Sequence, residues 1–130
     1  MRTIKQTYEI NAPREAVWAA LTDPNQIERW GGGPAKMDEN VGTEFSLWDG
    51  EIWGVNKKVV KNKLLVQEWW SETDKWENPS LAKFELSDDK EGTKLTLTQS
   101  GVPERNAKDI DDGWKDFYLG PLKDYLESKN

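Results

Sequence analysis

The chain of 130 residues contains no cysteine and no histidine. Without cysteine it has neither disulfides nor a thiol nucleophile, which fits a reducing compartment. Without either residue it cannot build the usual structural zinc site, a Ser-His-Asp triad or a Cys-His pair. Any acid–base chemistry therefore falls to aspartate, glutamate, lysine or tyrosine, and we expect no metal and no other cofactor.

The chain also lacks a long apolar run and a cluster of basic residues. No segment approaches the roughly 20 apolar residues that span a bilayer, and residues 1–5 lack the apolar core of a signal peptide. The net charge of −6 disfavours nucleic acid and anionic membrane surfaces as partners. We expect a cytoplasmic protein with no membrane insertion, and the length indicates a single domain over residues 1–130.

The C-terminal segment carries the longest periodic pattern in the sequence. A helix over about residues 104–127 places its apolar side chains on one continuous stripe. The stripe consists of Ile110, Trp114, Phe117, Tyr118, Pro121, Leu122 and Tyr125. Because Pro121 has no N–H to donate, a kink is predicted at Gly120-Pro121. One side of this helix must be covered by a large apolar surface.

The preceding residues predict that surface as an antiparallel sheet. Residues 3–10 alternate as a half-buried strand, and two short helices follow, the second capped by Asp23. Five more strands are predicted between residues 44 and 100, with a hairpin turn at Asp49-Gly50. The predicted fold class is α+β: a curved sheet of about six strands with two short helices, and one long C-terminal helix packed on its concave face.

Four short groups of residues form a recognisable set along the chain: Tyr8-Glu9-Ile10-Asn11-Ala12-Pro13 with Val17-Trp18, Gly42-Thr43-Glu44-Phe45 with Trp48-Asp49-Gly50, Leu65-Val66-Gln67-Glu68-Trp69, and Gly101-Val102-Pro103 with Gly113-Trp114. In their order and spacing they resemble the family of the heat-shock-protein-90 ATPase activator, specifically its C-terminal domain and single-domain relatives. The resemblance implies the helix-grip fold shared by START domains and the birch-pollen allergen. It implies a chaperone of the heat-shock type as a partner, or ligand binding like that of other single-domain relatives, and it brings no shared catalytic motif.

Eight tryptophans make aromatic side chains the main candidates for a site. The residues expected to line a cavity under the long helix are Trp30, Phe45, Leu47, Trp53, Gln67, Trp69, Trp114, Phe117 and Tyr118. Each of the indoles also has a plain core-packing interpretation. Trp30, next to the glycines at 31–33, is the candidate gate over a flexible hinge, and Trp76 is expected to be exposed.

Neighbouring residues on one strand decide what polar group enters the interior. Gln67 and Glu68 must point to opposite faces, as must Trp69 and Trp70. The apolar pattern favours Gln67 inward, where it would orient a ligand, whereas an inward Glu68 would act as a general base.

Three functions remain open on the sequence alone. The first is non-enzymatic binding of a small hydrophobic or aromatic molecule between the sheet and the C-terminal helix. The second is an interaction module that assists a heat-shock-type chaperone. The third is a small cyclase-like enzyme using Glu68 or Tyr118 as acid or base. An open cavity lined by aromatic residues would favour ligand binding, and exposed tryptophans would favour the interaction module. A buried, unpaired carboxylate facing the cavity would favour the enzyme.

Overall fold

The protein is described by a computed structural model covering residues 1–128. Six antiparallel strands form one curved sheet in the order β1-β6-β5-β4-β3-β2. The strands are β1 (Arg2–Ile10), β2 (Glu44–Leu47), β3 (Ile52–Val60), β4 (Leu64–Ser71), β5 (Ser80–Asp89) and β6 (Gly92–Val102). The predicted fold class is confirmed, with the long C-terminal helix on the concave face.

Strict alternation in the sequence sets the two faces of the sheet. In β4 the side chains of Leu65, Gln67, Trp69 and Ser71 are buried while those between them are partly exposed. Successive strand residues point to opposite faces, so one face of β4 meets the core and the other meets solvent. Gln67 therefore lies inward, and Glu68 lies on the outer face within 3.5 Å of Lys57.

Two short helices, α1 (Arg14–Thr22) and α2 (Pro24–Trp30), follow β1. The predicted cap is present: the Asp23 carboxylate accepts a hydrogen bond of 2.9 Å from the Asn25 amide. Gly31 ends α2 in the left-handed conformation, at φ 108°, which a residue without Cβ adopts at little cost. Val17, Leu21 and Ile27 are fully buried, so both helices belong to the core.

The C-terminal helix, residues 104–128, changes its winding along its length. A 3₁₀ turn (Glu104–Asn106) leads into α3 (Ala107–Gly113), a π-helical segment (Trp114–Leu119) and α4 (Gly120–Ser128). The Gly120 amide donates to the Lys115 carbonyl five residues back, the π pattern. The irregularity predicted at Gly120-Pro121 is thus a π-helical segment immediately before the pair.

This π-helical segment corrects the predicted apolar stripe. A wider turn shifts the helical phase by about one residue, so the buried positions become Trp114, Tyr118, Leu119, Leu122 and Leu126. Phe117 rotates outward and is 65% exposed, contrary to the expectation that it packs under the helix. Among residues 1–128 no helix is both long and apolar enough to cross a bilayer.

Candidate functional site

An open, apolar groove lies between the C-terminal helix and the ends of β3 and β4. Its volume is about 360 Å³. We call it the aromatic groove. It is lined by Trp48, Glu51, Ile52, Trp69, Ser71, Asp74, Asp109, Ile110, Gly113, Trp114, Phe117 and Tyr118. A groove of this size accommodates a small organic molecule, because ligand sites span about 300–1,000 Å³.

Three aromatic rings in mutual contact form one wall of the groove. Trp69 on β4 stacks on Trp114 with 4.7 Å between ring centroids, and Trp114 lies 4.8 Å from Tyr118. Phe84 on β5 packs edge-on against Trp114 from the sheet side. Aromatic pairs of this geometry contribute stability beyond that of the area they bury. The contacts among these rings therefore hold the wall together in the absence of a ligand.

Buried amides hold the two indoles of this wall in fixed orientations. The Trp69 Nε1–H donates to Gln67 Oε1 at 2.8 Å, and Gln67 Nε2 donates to Asn56 Oδ1 at 2.9 Å. The Trp114 Nε1–H donates to Gln99 Oε1 at 2.7 Å. All three amide residues are fully buried. The polar edges of both tryptophans are therefore satisfied inside the protein, and both residues line the groove.

Tyr118 differs from its neighbours because its polar atom has no partner. Its side chain is 1% exposed, and its hydroxyl is the buried side-chain polar atom without a hydrogen bond in the described part of the chain. Burial raises the pKa of the Tyr118 phenol, so the group is neutral near pH 7. A neutral phenol can both donate and accept, so the Tyr118 hydroxyl has unused hydrogen-bonding capacity behind the groove wall.

The mouth of the groove is formed partly by a tight turn between β2 and β3. Trp48 and Asp49 both adopt the left-handed conformation, at φ 49° and 56°. Non-glycine residues rarely do so, and such positions concentrate at ligand sites. The Trp48 backbone amide donates to the Gly32 carbonyl at 2.7 Å, and its Nε1–H donates to the Gly31 carbonyl at 2.9 Å. These bonds fix the Trp48 ring at the mouth.

The residues predicted for the site divide between the groove, the core and the outer face. Trp69, Trp114, Phe117 and Tyr118 line the groove. Trp30, Phe45, Leu47 and Gln67 are buried in the core without lining it. The Trp30 Nε1–H is bonded to the Ala20 carbonyl at 2.9 Å, so this residue is not a gate.

Two expectations about tryptophan placement are wrong. Trp53 was expected to face the cavity, but it lies on the outer face, 41% exposed, and stacks on Trp70 at 5.4 Å. Its neighbours Ile52 and Gly54 are the inward residues of β3. Trp76 was expected to be exposed but is buried, and its Nε1–H donates to Asn106 Oδ1 at 2.9 Å. The loop that carries Trp76 folds back under the start of the C-terminal helix.

Sequence reasoning missed the residues that come from turns and from the helix edge. Besides Trp48, these are Glu51, Ile52, Ser71, Asp74, Asp109, Ile110 and Gly113. Trp48 carried a usable signal, since an aromatic residue directly before an Asp-Gly turn lies at the end of a hairpin. The others depend on which loops meet in space, and local sequence does not record that.

The groove has no carboxylate positioned as a buried base. Glu68, the candidate general base, lies on the outer face beside Lys57. The described residues contain no group of three or more acidic side chains arranged to hold a metal ion. The groove offers aromatic surface, a neutral phenol in its wall and the exposed or half-buried carboxylates of Glu51, Asp74 and Asp109.

Comparison with known proteins decides the family. The family model described as "Activator of Hsp90 ATPase homolog 1-like protein" matches residues 11–127. The chain belongs to this family. The match covers strands β2 to β6, both short helices and nearly all of the C-terminal helix.

Curated members of the family are considerably longer. The chain is 25% identical over 123 residues to human activator of 90 kDa heat shock protein ATPase homolog 1, covering 93% of this chain and 35% of that protein. It is 24% identical to the Dictyostelium discoideum homolog, with 94% and 32% covered. The chain thus spans about a third of the length of the curated relatives it matches.

Solved structures of similar length share the whole fold. An Hsp90 activator from Plasmodium falciparum has a TM-score of 0.86 and 27% identity, with 98% of this chain and 97% of that chain covered. A protein from Mesorhizobium loti has a TM-score of 0.85 and 27% identity, with 99% of both chains covered.

Proposed function

We propose that this member of the family binds a small hydrophobic or aromatic molecule in the aromatic groove, without catalysing a reaction. The observation that carries the proposal is an open groove with a preformed aromatic wall, in which the buried Tyr118 hydroxyl has no partner. Leaving a buried polar group unpaired is costly, and a ligand that pairs with it recovers that cost. The fixed indoles of Trp69 and Trp114 supply preformed contact surface.

Binding can be tested with 1-naphthylmethanol, a neutral aromatic probe that carries one hydroxyl. In ¹H–¹⁵N spectra each tryptophan Nε1–H reports on its own surroundings. Saturable shifts are expected for Trp48, Trp69 and Trp114, whereas Trp18 and Trp53, which do not line the groove, should remain unchanged. The proposal fails if the probe causes no saturable shift.

A blocking variant and a matched control sharpen the test. Gly113→Leu places a side chain in the groove, and the first new atom meets only ordinary contact, 3.9 Å from Phe117. Leucine is also a better helix former than glycine, so the variant should remain folded. Naphthylmethanol affinity should fall at least about tenfold in Gly113→Leu, since the groove is filled. It should be unchanged in Trp53→Ala, which alters the opposite face, and equal losses in both would contradict the proposal.

A second candidate function is assistance to a 90 kDa heat shock protein. It is supported by the relatives that are named activators of that ATPase, and by an exposed apolar patch on the outer face. In this patch Trp53 stacks on Trp70, and Leu81 on the next strand is 44% exposed. Exposed aromatic residues are enriched at protein interfaces, and a few such residues carry most of the binding energy.

The chaperone candidate is tested by measuring the ATPase rate of a 90 kDa heat shock protein with and without this chain. Stimulation should be lost in Trp53→Ala and retained in Val60→Ala, because Val60 is equally exposed, 41%, on the same strand. It should also be retained in Gly113→Leu. Absence of stimulation by the unaltered chain would remove this candidate and leave the groove proposal intact.

A further inference from the structure

We infer that the ligand of the aromatic groove carries a positively charged amine beside its aromatic body. This inference rests on the proposed ligand-binding function and adds the chemical class. Three carboxylates, those of Glu51, Asp74 and Asp109, line the groove, and no lysine or arginine is among its lining residues. They come from three separate segments: the turn before β3, the loop after β4, and α3.

None of these carboxylates accepts a hydrogen bond from a charged donor within residues 1–128. One Glu51 oxygen accepts a hydrogen bond from the Thr73 amide at 3.2 Å, and one Asp74 oxygen accepts from the Ser71 hydroxyl at 3.0 Å. Both donors are neutral. No ion pair within the described residues involves Glu51, Asp74 or Asp109. Like charges facing one opening repel each other, and a cation placed there relieves the repulsion.

The basic residues near Asp109 in the sequence, Arg105 and Lys108, bind groups other than the carboxylates of the groove. Arg105 donates to the Asp74 backbone carbonyl at 3.4 Å, and not to its carboxylate. Lys108, beside Asp109, is paired at 2.9 Å with Asp112. The pKa of Lys108 is raised mainly by its hydrogen bond to Asp112, and the nearby Asp109 charge adds to the shift. Neither Arg105 nor Lys108 forms an ion pair with a carboxylate of the groove.

The apolar part of the groove supports the same ligand class independently of the carboxylates. The rings of Trp48, Trp114 and Phe117 border the space, and aromatic ring faces attract cations such as ammonium groups. Tyr118, in the same wall, has a buried hydroxyl without a partner, which can accept a hydrogen bond from an ammonium N–H. An anionic ligand would meet three carboxylates and no compensating donor of positive charge, so the groove discriminates against it.

Three probes with the same ring separate charge from shape: 1-naphthylmethylammonium, 1-naphthylmethanol and 1-naphthylacetate. Calorimetric titration of the full chain at low salt should give affinities in the order amine, alcohol, acetate, with the amine at least about tenfold tighter than the acetate. Because the rim is solvent-exposed, raising the ionic strength should narrow the gap between amine and alcohol.

Charge-neutralising variants locate the effect. Glu51→Gln, Asp74→Asn and Asp109→Asn should each weaken amine binding by up to about fivefold and weaken alcohol binding less, as expected for single exposed charge pairs. Asp124→Asn is the matched control: it makes the same change in net charge on the C-terminal helix, but Asp124 is exposed and outside the groove lining. It should leave the ratio of amine to alcohol affinity unaltered.

The outcomes distinguish this inference from the function on which it rests. Equal affinity for the three probes, or tighter binding of the acetate, overturns the inference while leaving the groove as a ligand site. An amine preference reduced as much by Asp124→Asn as by the rim variants also overturns it, since the effect would then come from net charge alone. If none of the probes binds, the proposed function fails together with the inference.

Discussion

Replacing Tyr118 by phenylalanine should stabilise the protein without ligand, although it removes a polar group from a packed site. The Tyr118 hydroxyl is buried and has no hydrogen-bond partner in the described chain, so it loses its hydration on folding and gains nothing in exchange. An unpaired buried polar group costs about 1–3 kcal/mol. We take the lower end, because removing the oxygen also leaves a small void. Tyr118→Phe should therefore raise the free energy of unfolding by about 1 kcal/mol.

For a chain of 130 residues that increment corresponds to a rise of about 3–5 °C in Tm. Urea unfolding and calorimetry measure both quantities. Tyr8→Phe is the matched control, because the Tyr8 hydroxyl donates to Gln6 Oε1 at 2.6 Å. Removing that paired hydroxyl should lower stability by about 0.5–1.5 kcal/mol. If Tyr118→Phe also lowered stability by about 1 kcal/mol, the hydroxyl would have a partner in the folded protein and the reasoning would be refuted.

Two further predictions concern stability at high pH and the π-helical segment. Burial raises the pKa of the Tyr118 phenol above its unfolded value of 10.0, so below pH 10 this phenol keeps its proton in both states and causes no loss of stability. Above pH 10 the phenol ionises more readily in the unfolded chain, so the free energy of unfolding should fall by up to about 1.4 kcal/mol per pH unit. The urea midpoint should show a smaller loss in Tyr118→Phe. Gly120→Ala would place Cβ 2.1 Å from the Lys115 carbonyl oxygen and should cost about 1–3 kcal/mol by thermal unfolding. Gly113→Ala, with its Cβ 3.9 Å from Phe117, should instead be neutral or stabilising, and similar effects of both changes would contradict the steric argument.

The order of elements was predictable because it depends on local patterns. Alternation along the strands, the Asp23 cap and the Asp49-Gly50 turn each act over a few residues, and the structure contains all three. The family resemblance added the arrangement of these elements, which periodicity alone leaves open. Gln67 was placed inward by the same alternation.

The errors arise where a non-local or irregular feature overrides the local pattern. Phe117 follows a regular 3.6-residue stripe in sequence, but the π-helical segment moves it to the surface. Because side chains alternate along β3, either Trp53 or its two neighbours can face inward. The inward residues are Ile52, Gly54 and Asn56, so Trp53 faces outward. Hydrophobicity would not select Gly54 or Asn56. Asn56 is inward because its amide completes hydrogen bonds with Gln67 and with the Asp38 and Asn40 carbonyls.

The groove itself could not be predicted in detail because its walls come from distant parts of the chain. Trp48 and Asp109 meet at one opening although a large part of the sequence separates them. Aromatic content indicated that a site was plausible, and the long helix indicated on which side of the sheet it would lie. Which turns and loops approach that helix depends on sheet curvature and loop paths.

The position of β1 at one edge of the sheet also constrains how the protein folds. Its hydrogen-bonding neighbour is β6, with Ile10 opposite Thr93 and Arg2 near Val102, whereas β2 to β6 are joined by consecutive hairpins. During synthesis β1 emerges first but has no strand to pair with until β6 has left the ribosome. The hairpins close over short loops, while β1 must close a loop of almost the whole chain, which is entropically slower. We therefore expect the meander from β2 to β6 to form first and β1 to be the last strand to join it.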